Sequence, residues 1–258
     1  MLHELRLFLI ALQFLTRVPV PAWVGWRPEW MHASARHYPA VGLVVGGFAA
    51  LVLWTGAHFW PAAVAVLLSM AATLRLTGAF HEDGLADTCD ALGGTVSRER
   101  ALEIMKDSRI GSYGTVGLVA VLALKAAALL GLALRDVELV LIALPLAHAG
   151  SRAVPVLLLR WLPYGGDPDH AKAKPMAQQA DNHTLLVVAL WLVVVGAAAL
   201  ACGLEPQRLL LAGVALLVVA LVMARWLQQR LGGYTGDTLG ASQQGAELAV
   251  YLVLLAQW

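Results

Sequence analysis

Long apolar segments dominate the chain and are separated by polar stretches. A helix needs about 20 apolar residues to cross a bilayer. The segments that meet this length are residues 38–60, 61–80, 114–134, 137–159, 184–203 and 207–227. A further apolar segment, residues 246–258, is shorter. The pattern predicts an all-α, polytopic integral membrane bundle with about six to seven transmembrane helices.

The first two of these segments follow each other directly across Trp60 and Pro61. This predicts a tight helical hairpin. Gly42, Gly46 and Gly47 would let the two helices of the hairpin approach closely.

Composition agrees with a membrane protein and argues against a nucleic-acid-binding one. Hydrophobic residues make up 59% of the chain, charged residues 14%, and the net charge is +1, with no basic tract for nucleic acid. Cys89 and Cys202 lie in different settings and predict no disulfide framework. Residues 1–20 lack a small-residue cleavage site and fit an amphipathic or re-entrant helix at the membrane surface. Without a repeat or linker, residues 1–258 are expected to form one integral domain.

Basic residues predict the orientation, because they collect on the cytoplasmic side of a membrane protein. In this topology only Arg135 and Arg208 fall on one side. The other side carries Arg6, Arg17, Arg27, Arg36, Arg98, Arg100, Lys106, Arg109, Arg160, Lys172, Lys174, Arg225 and Arg230. That side also carries the long polar segments 21–37, 81–113, 160–183 and 228–245. We therefore expect a cytoplasm-facing active site.

The most distinctive polar stretch runs from His81 to Asp90, directly after an apolar segment. If it is helical, Asp83, Asp87 and Asp90 stand at i, i+4 and i+7 and share one face. Three carboxylates on one face repel each other unless a cation lies among them, and a divalent cation bridging to phosphate oxygens is the natural candidate. A solvated acidic patch is the alternative. The spacing, and the position at the end of an apolar segment, favour the metal or phosphate interpretation.

A second polar patch, residues 106–114, opens the next apolar segment. Lys106 and Arg109 are candidates to hold phosphate oxygens, and Asp107 could add a metal ligand. Glycines at a helix start let backbone N–H groups approach an anion. The candidate substrate-binding residues here are Ser108, Arg109, Gly111 and Gly114. An ordinary positively charged loop is the alternative.

A third patch, residues 232–240, carries four glycines around one aspartate. It predicts a tight loop that presents Asp237 to a ligand, with Thr235 and Gly236 beside it. Taken alone, a plain connector between helices explains it as well. The three patches are expected on one side of the membrane, and together they supply what phosphoryl transfer needs: carboxylates for metal, cations for phosphate and close backbone approach.

Charged residues also fall inside the apolar segments. Lys125, His148 and Arg152 lie deep in them, and His148 and Arg152 are one helical turn apart and face the same way. An intramembrane ionisable group indicates function by default. Structural pairing across the bundle is an equal alternative.

Three of these motifs, and two stretches before the first span, resemble cobalamin synthase, the adenosylcobinamide-GDP ribazoletransferase family. The matching stretches are Phe-His-Glu-Asp-Gly-Leu-Ala-Asp-Thr at 80–88, Glu-Ile-Met-Lys-Asp-Ser-Arg-Ile-Gly at 103–111, Thr-Gly-Asp-Thr-Leu-Gly at 235–240, Phe-Leu-Thr-Arg-Val-Pro at 14–19 and Tyr-Pro-Ala-Val-Gly at 38–42. The resemblance runs from end to end. One departure is Ala91, where the family often has glycine.

The resemblance implies a late step of cobalamin assembly in the bacterial inner membrane. The ribose 3′-hydroxyl of α-ribazole or its 5′-phosphate would attack the cobinamide-linked phosphorus of adenosylcobinamide-GDP, releasing GMP. It also implies Mg²⁺ dependence, with the ions held by Asp83, Asp87 and Asp90. His81 or an aspartate would take the hydroxyl proton. Lys106, Asp107 and Asp237 would complete the site. The expected partners are these substrates and the bilayer, and a homo-oligomer stays open.

Other enzyme and non-enzyme classes share part of this pattern. Membrane CDP-alcohol phosphotransferases also begin with Asp-Gly, but Ala-Arg follows in that family and Ala86-Asp87 stands here. Polyprenyl transferases have aspartate-rich motifs, yet these would not explain the loops at Gly111 and Gly236. A cation-binding transporter usually places its ligands near the bilayer midplane in repeated halves, which this chain does not suggest.

Overall fold

The computed structural model describes residues 2–166, 177 and 179–257, and this part of the chain is helical with no strand. An isolated bridge joins Tyr164 and Tyr234. The α-helices are α1 (Leu2–Leu15), α2 (Pro28–Ser34), α3 (Tyr38–Ala57), α4 (Ala62–Thr77), α5 (Phe80–Leu92), α6 (Arg98–Ile104), α7 (Ser112–Arg135), α8 (Val137–Ser151), α9 (Ala153–Trp161), α10 (Asn182–Ala201), α11 (Pro206–Leu231) and α12 (Gly236–Leu255). The all-α prediction is confirmed.

Within the described residues, five helical segments are long and apolar enough to cross a membrane: Pro28–Ala57, Ser112–Arg135, Val137–Trp161, Asn182–Ala201 and Pro206–Leu231. Counting the bent pair α4 and α5 as one span makes six. This agrees with a polytopic membrane bundle. Two of the basic residues used to predict its orientation, Lys172 and Lys174, lie outside the described residues.

The apolar segment over residues 61–80 forms a helix of 16 residues, which is long enough to cross a membrane only together with the helix that follows it. Helix α4 ends at Thr77 and α5 begins at Phe80, with an angle of 89° between the two helices. Gly78 (φ 71°) and Ala79 (φ 56°) are both left-handed, a conformation that ends a helix and redirects the chain. The sharp turn places the acidic run on a helix of its own.

Three glycines of α3 were expected to pack against α4, and two of them pack against a different helix. A Cβ atom at Gly46 would lie 2.6 Å from the Pro145 Cα atom, so this face of α3 packs against α8 instead of α4. Gly47 has nothing within 4 Å. Helix α4 packs near the other end of α3, where a Cβ at Gly56 would lie 3.3 Å from the backbone of Ala65.

Helix α12 replaces most of the predicted loop over residues 228–245. Helix α11 continues to Leu231, and α12 begins at Gly236 after a turn capped by Thr235. The far end of α12 lies beside α7 and α11, because Arg135 and Arg208 donate to the carbonyls of Leu255 and Leu254. The short apolar segment at the C-terminus is thus the second half of a 20-residue, mostly buried helix.

Candidate functional site

A cavity of about 330 Å³ lies where α5, α9 and α12 meet, with α1 and α3 at its side. Its walls are aromatic on one part and polar on the other. The aromatic residues are Phe14, Tyr38 and Phe80, and the polar ones are His81, Asp83, Arg152 and Asp237. The cavity is at the lower end of the usual size of ligand pockets and suits a group the size of a nucleoside or a phosphate.

Glycines on both helices bring α5 and α12 together beside this cavity. A Cβ atom at Gly84 would lie 2.7 Å from the backbone oxygen of Asp237, and one at Gly240 would lie 3.1 Å from the backbone oxygen of His81. Any side chain at Gly84 would push the helices apart. This contact therefore brings Asp83 and Asp237, which are 154 positions apart in the chain, to one cavity.

The acidic run is helical, as its spacing suggested, but its aspartates have different surroundings. Asp83 is exposed, whereas Asp87 and Asp90 are half-buried. The two Asp90 oxygens accept hydrogen bonds from the backbone N–H groups of Gly111 and Gly114, both at 2.7 Å. Asp90 thus holds the start of α7, where a carboxylate also complements the helix dipole.

Gly111 and Gly114 were expected to approach a substrate anion, and the structure gives their N–H groups a protein anion instead. A Cβ atom at either glycine would collide with the Asp90 carboxylate. Both glycines are therefore explained by the contact between α5 and α7.

Asp107 and Arg109 form an exposed ion pair in the turn before α7. The guanidinium donates from Nη2 to Oδ2 at 2.6 Å and from Nε to Oδ1 at 2.9 Å, and the Arg109 backbone N–H donates to Oδ1 at 3.1 Å. These bonds, first those from the side chain, lower the pKa of Asp107 from 3.8 to about 2. Asp107 is therefore a carboxylate at neutral pH and a weak proton acceptor.

The predicted site residues lie in two separate pockets. His81, Asp83, Gly236 and Asp237 line the cavity described above. Asp90, Asp107, Arg109 and Gly111 line a second, more open pocket beside α6 and α7. Helix α5 joins the two, since Asp83 and Asp90 lie about 10 Å apart along its axis at 1.5 Å per residue. Lys106 and Ser108 are exposed in the same turn as Asp107.

Thr235 and Asp237 sit at the start of a helix and not in a loop. Thr235 caps α12: its hydroxyl accepts from the Thr238 N–H, and the Thr238 hydroxyl accepts from the Thr235 N–H. This reciprocal pair fixes the first turn of α12. Gly236 and Asp237 are the first two residues of that turn, so Asp237 is held rigidly at the cavity.

A buried network of charged and polar groups lies among α7, α8 and α12. Its centre is Glu247, which pairs with the Lys125 ammonium and, at 3.3 Å, with His148 Nδ1. Gln243 Nε2 donates to Glu247 at 2.8 Å and Tyr251 donates to it at 3.2 Å. The sequence did not decide whether Lys125 and His148 have a functional or a structural role. Both pair with Glu247, as buried charges require, which supports the structural one.

The network reaches the acidic helix through two groups that were not expected at the site. Gln244 Nε2 donates to Glu82 at 2.9 Å and to Gln243 at 2.8 Å. The second Glu82 oxygen is buried without a partner in the described part of the chain. The sequence does carry a signal for this network, because Gln243 and Gln244 stand side by side before an apolar segment. Burying an amide side chain without a hydrogen bond costs free energy, so two such residues indicate a buried polar partner.

The polar residues of the cavity fit Mg²⁺ only in company with a substrate. Among the described residues, no group of three carboxylate, imidazole or thiol side chains is placed to hold a metal ion. Mg²⁺ is commonly bound by one or two carboxylates together with substrate phosphates and water. Asp83 and Asp237 in one cavity meet that requirement, whereas the Asp90 oxygens already accept backbone hydrogen bonds.

Comparisons with known proteins support the family resemblance along nearly the whole chain. The family model for cobalamin-5-phosphate synthase matches residues 7–255. A protein of Leptothrix cholodnii named adenosylcobinamide-GDP ribazoletransferase is 64% identical over 256 residues, covering 99% of this chain and 97% of that protein. Proteins of the same name from Shewanella amazonensis and Polaromonas sp. are 46% and 44% identical, covering 99% and 96% of this chain and 97% and 96% of those proteins. No solved structure matches. The chain belongs to the cobalamin-5-phosphate synthase family.

Proposed function

We propose that this protein is an adenosylcobinamide-GDP ribazoletransferase that joins adenosylcobinamide-GDP to α-ribazole or α-ribazole 5′-phosphate. The main support is its similarity, over nearly the full length, to relatives that carry this name. The cavity adds support, because its aromatic and acidic walls suit a nucleotide and a metal-bound phosphate.

In the proposed reaction, the ribose 3′-hydroxyl oxygen bonds to the cobinamide-linked phosphorus, and the phosphorus–oxygen bond to GMP breaks. His81 is buried and lines the cavity together with Asp83, and His81 or an aspartate would take the hydroxyl proton. The products are adenosylcobalamin, or its 5′-phosphate, and GMP.

Asp83, Asp87 and Asp237 would hold Mg²⁺. When bound, the metal would neutralise charge on the diphosphate and on the leaving group. Asp83 and Asp237 carry charge of the same sign as that diphosphate, and the metal would offset their repulsion. Lys106 and Arg109 lie in the turn before α7, outside this cavity. They would bind the phosphate oxygens that extend out of it.

The proposed location is the bacterial inner membrane, with the cavity open to the cytoplasm. The basic residues of the described loops support this orientation, since Arg135 and Arg208 lie together at the opposite end of the bundle. The bilayer is then a partner of the exposed apolar helix faces.

GMP release by the purified full-length protein in detergent tests this function. With adenosylcobinamide-GDP, α-ribazole 5′-phosphate and Mg²⁺, we expect GMP and adenosylcobalamin 5′-phosphate in equal amounts, and neither product after chelation. Asp83→Asn should lower the rate by at least about 10²-fold, as expected when a group that stabilises developing charge is lost. Asp136→Asn is the matched control, because within the described residues the Asp136 side chain caps α8 and asparagine caps equally well. Absence of GMP from the wild type would refute the proposal.

A further inference from the structure

Arg152 lies at the junction of α8 and α9 and is 2% exposed. It lines the cavity together with Asp83 and Asp237. Among the described residues of the cavity wall, it is the one lysine or arginine. A positive charge therefore lines a cavity whose other described charged residues are two carboxylates.

Arg152 is poorly satisfied by the protein around it. The hydrogen bonds that it makes within the described residues come from Nη1 and go to His148, at 2.9 Å to the backbone oxygen and 3.3 Å to Nδ1. Its Nε is buried without a partner in the described part of the chain. Glu247 pairs with Lys125 and His148, and no described carboxylate forms an ion pair with Arg152.

A structural role alone does not account for this geometry. Tying the end of α8 to the His148 carbonyl uses one donor, whereas a guanidinium carries five in a planar fork. A buried cation is normally paired with an anion. No described carboxylate lies at ion-pair distance from Arg152, and this favours an anionic ligand as its partner.

We propose that Arg152 binds a phosphate oxygen of a substrate inside the cavity. The proposal rests on the proposed function, which brings phosphate groups to this cavity. The guanidinium fork matches phosphate oxygens and forms charge-assisted hydrogen bonds with them. Two phosphates satisfy this chemistry: the 5′-phosphate of the ribazole nucleotide and the diphosphate of the GDP-bearing corrinoid.

Equilibrium binding to the full-length protein in detergent tests the proposal and separates the two sources. Two ligand pairs are compared, α-ribazole 5′-phosphate with α-ribazole, and GMP with guanosine. EDTA is present so that tighter binding of the phosphorylated ligand cannot come from a divalent cation bound to the phosphate. Wild-type protein should bind the phosphorylated member of one pair at least about tenfold more tightly, as a charge-assisted hydrogen bond predicts. The pair that shows the preference identifies the phosphate that Arg152 binds.

Arg152→Gln should abolish this preference and leave the affinity for the ligand without phosphate unchanged. Arg152→Lys should restore part of it, because the charge returns without the planar fork. In turnover, Arg152→Gln should raise the KM of the corresponding substrate more than it lowers kcat. Arg75→Gln is the control, since Arg75 is exposed at the end of α4 and does not line the cavity.

The proposal is overturned if Arg152→Gln keeps the preference, or if both members of a pair weaken equally. If Arg152→Gln does not fold, the wild type and Arg152→Lys decide: no preference in the wild type, or an unchanged one in Arg152→Lys, overturns it. These are binding measurements, so a wild type that binds phosphate but releases no GMP would refute the proposed function and leave Arg152 as a phosphate ligand.

Discussion

Asp107 combines a low pKa with a position in the turn that leads into α7. Its carboxylate accepts three hydrogen bonds from Arg109 and stays ionised at neutral pH. The folded-state pKa lies below the ordinary one. The interaction with Arg109 is therefore complete above pH 3.8 and is lost only as the pH falls through about 2.

We expect Asp107→Asn to lower the rate of GMP release by the same factor at every pH of the neutral range. The factor should be below about tenfold, because exposed ion pairs contribute little. The acidic limb of the pH profile should not move. A pH profile of kcat/KM for wild type and variant measures this, and an acidic limb that shifts with the variant would assign that limb to Asp107.

The sequence predicted which residue types form the site better than it predicted their contacts. Asp83 and Asp237 do line one cavity, as expected of residues that share a ligand. The partner of Asp90 was not predictable, because it depends on where α7 begins in space relative to α5. The pairing of Asp107 with Arg109 could be predicted from the local sequence, since these two residues of opposite charge stand two positions apart.

Helices α5 and α12 meet through glycine, and this contact sets the distance between Asp83 and Asp237. We expect Gly84→Ala to lower GMP release by about 10²-fold, because a displacement of about 1 Å at reacting groups has that effect. Overpacking should also lower the free energy of unfolding by about 1–3 kcal/mol. GMP release and thermal unfolding in detergent measure the two effects.

Gly245→Ala is the control for this substitution. Gly245 lies in α12, and a Cβ atom added to it would have nothing within 4 Å. A methyl group therefore fits there, and alanine favours the helix. Activity should be unchanged. If both variants retain full activity, the close approach of α5 and α12 does not position the site.

At the level of helices, apolar length located most spans and failed where polar residues are buried inside the bundle. Helix α12 carries Gln243, Gln244 and Glu247 in its buried middle, so its hydropathy falls below that of a span facing lipid. The break between α4 and α5 was hidden for another reason. Gly78 marks a stop, but nothing in the sequence shows that Ala79 is left-handed as well.

The buried network around Glu247 ties α7, α8 and α12 into one body, and its stability depends on charge balance. Lys125→Met should lower the free energy of unfolding by about 3–5 kcal/mol, because it leaves Glu247 buried without its ammonium partner. The double variant Lys125→Met, Glu247→Gln should lose less than the sum of the single variants. Thermal unfolding in detergent measures all three, with Leu124→Met on the exposed side of α7 as control. Additive losses would show that the two residues do not interact.

The proposed orientation of the whole molecule predicts which cysteines are accessible from the periplasmic side of the membrane. Cys202 is exposed in the turn between α10 and α11, at the end opposite the cavity. A membrane-impermeant maleimide should label it in intact cells. In a Cys89→Ala, Cys202→Ala background, Thr95→Cys, which lies in the turn after α5, should be labelled only after permeabilisation. The reverse pattern would place the cavity outside the cytoplasm.

The turn between α4 and α5 has a consequence for how this chain can change over time. The Arg17 backbone N–H donates to the Leu76 oxygen at 2.8 Å, and the Arg17 guanidinium fills the space that a side chain at Gly78 would need. A side chain at 78 would have to displace the Arg17 guanidinium and would also have to adopt a left-handed conformation that residues other than glycine rarely adopt. A smaller residue at 17, 61 positions away, would remove the first conflict and leave the second, so variation should be found at position 17 while position 78 stays glycine.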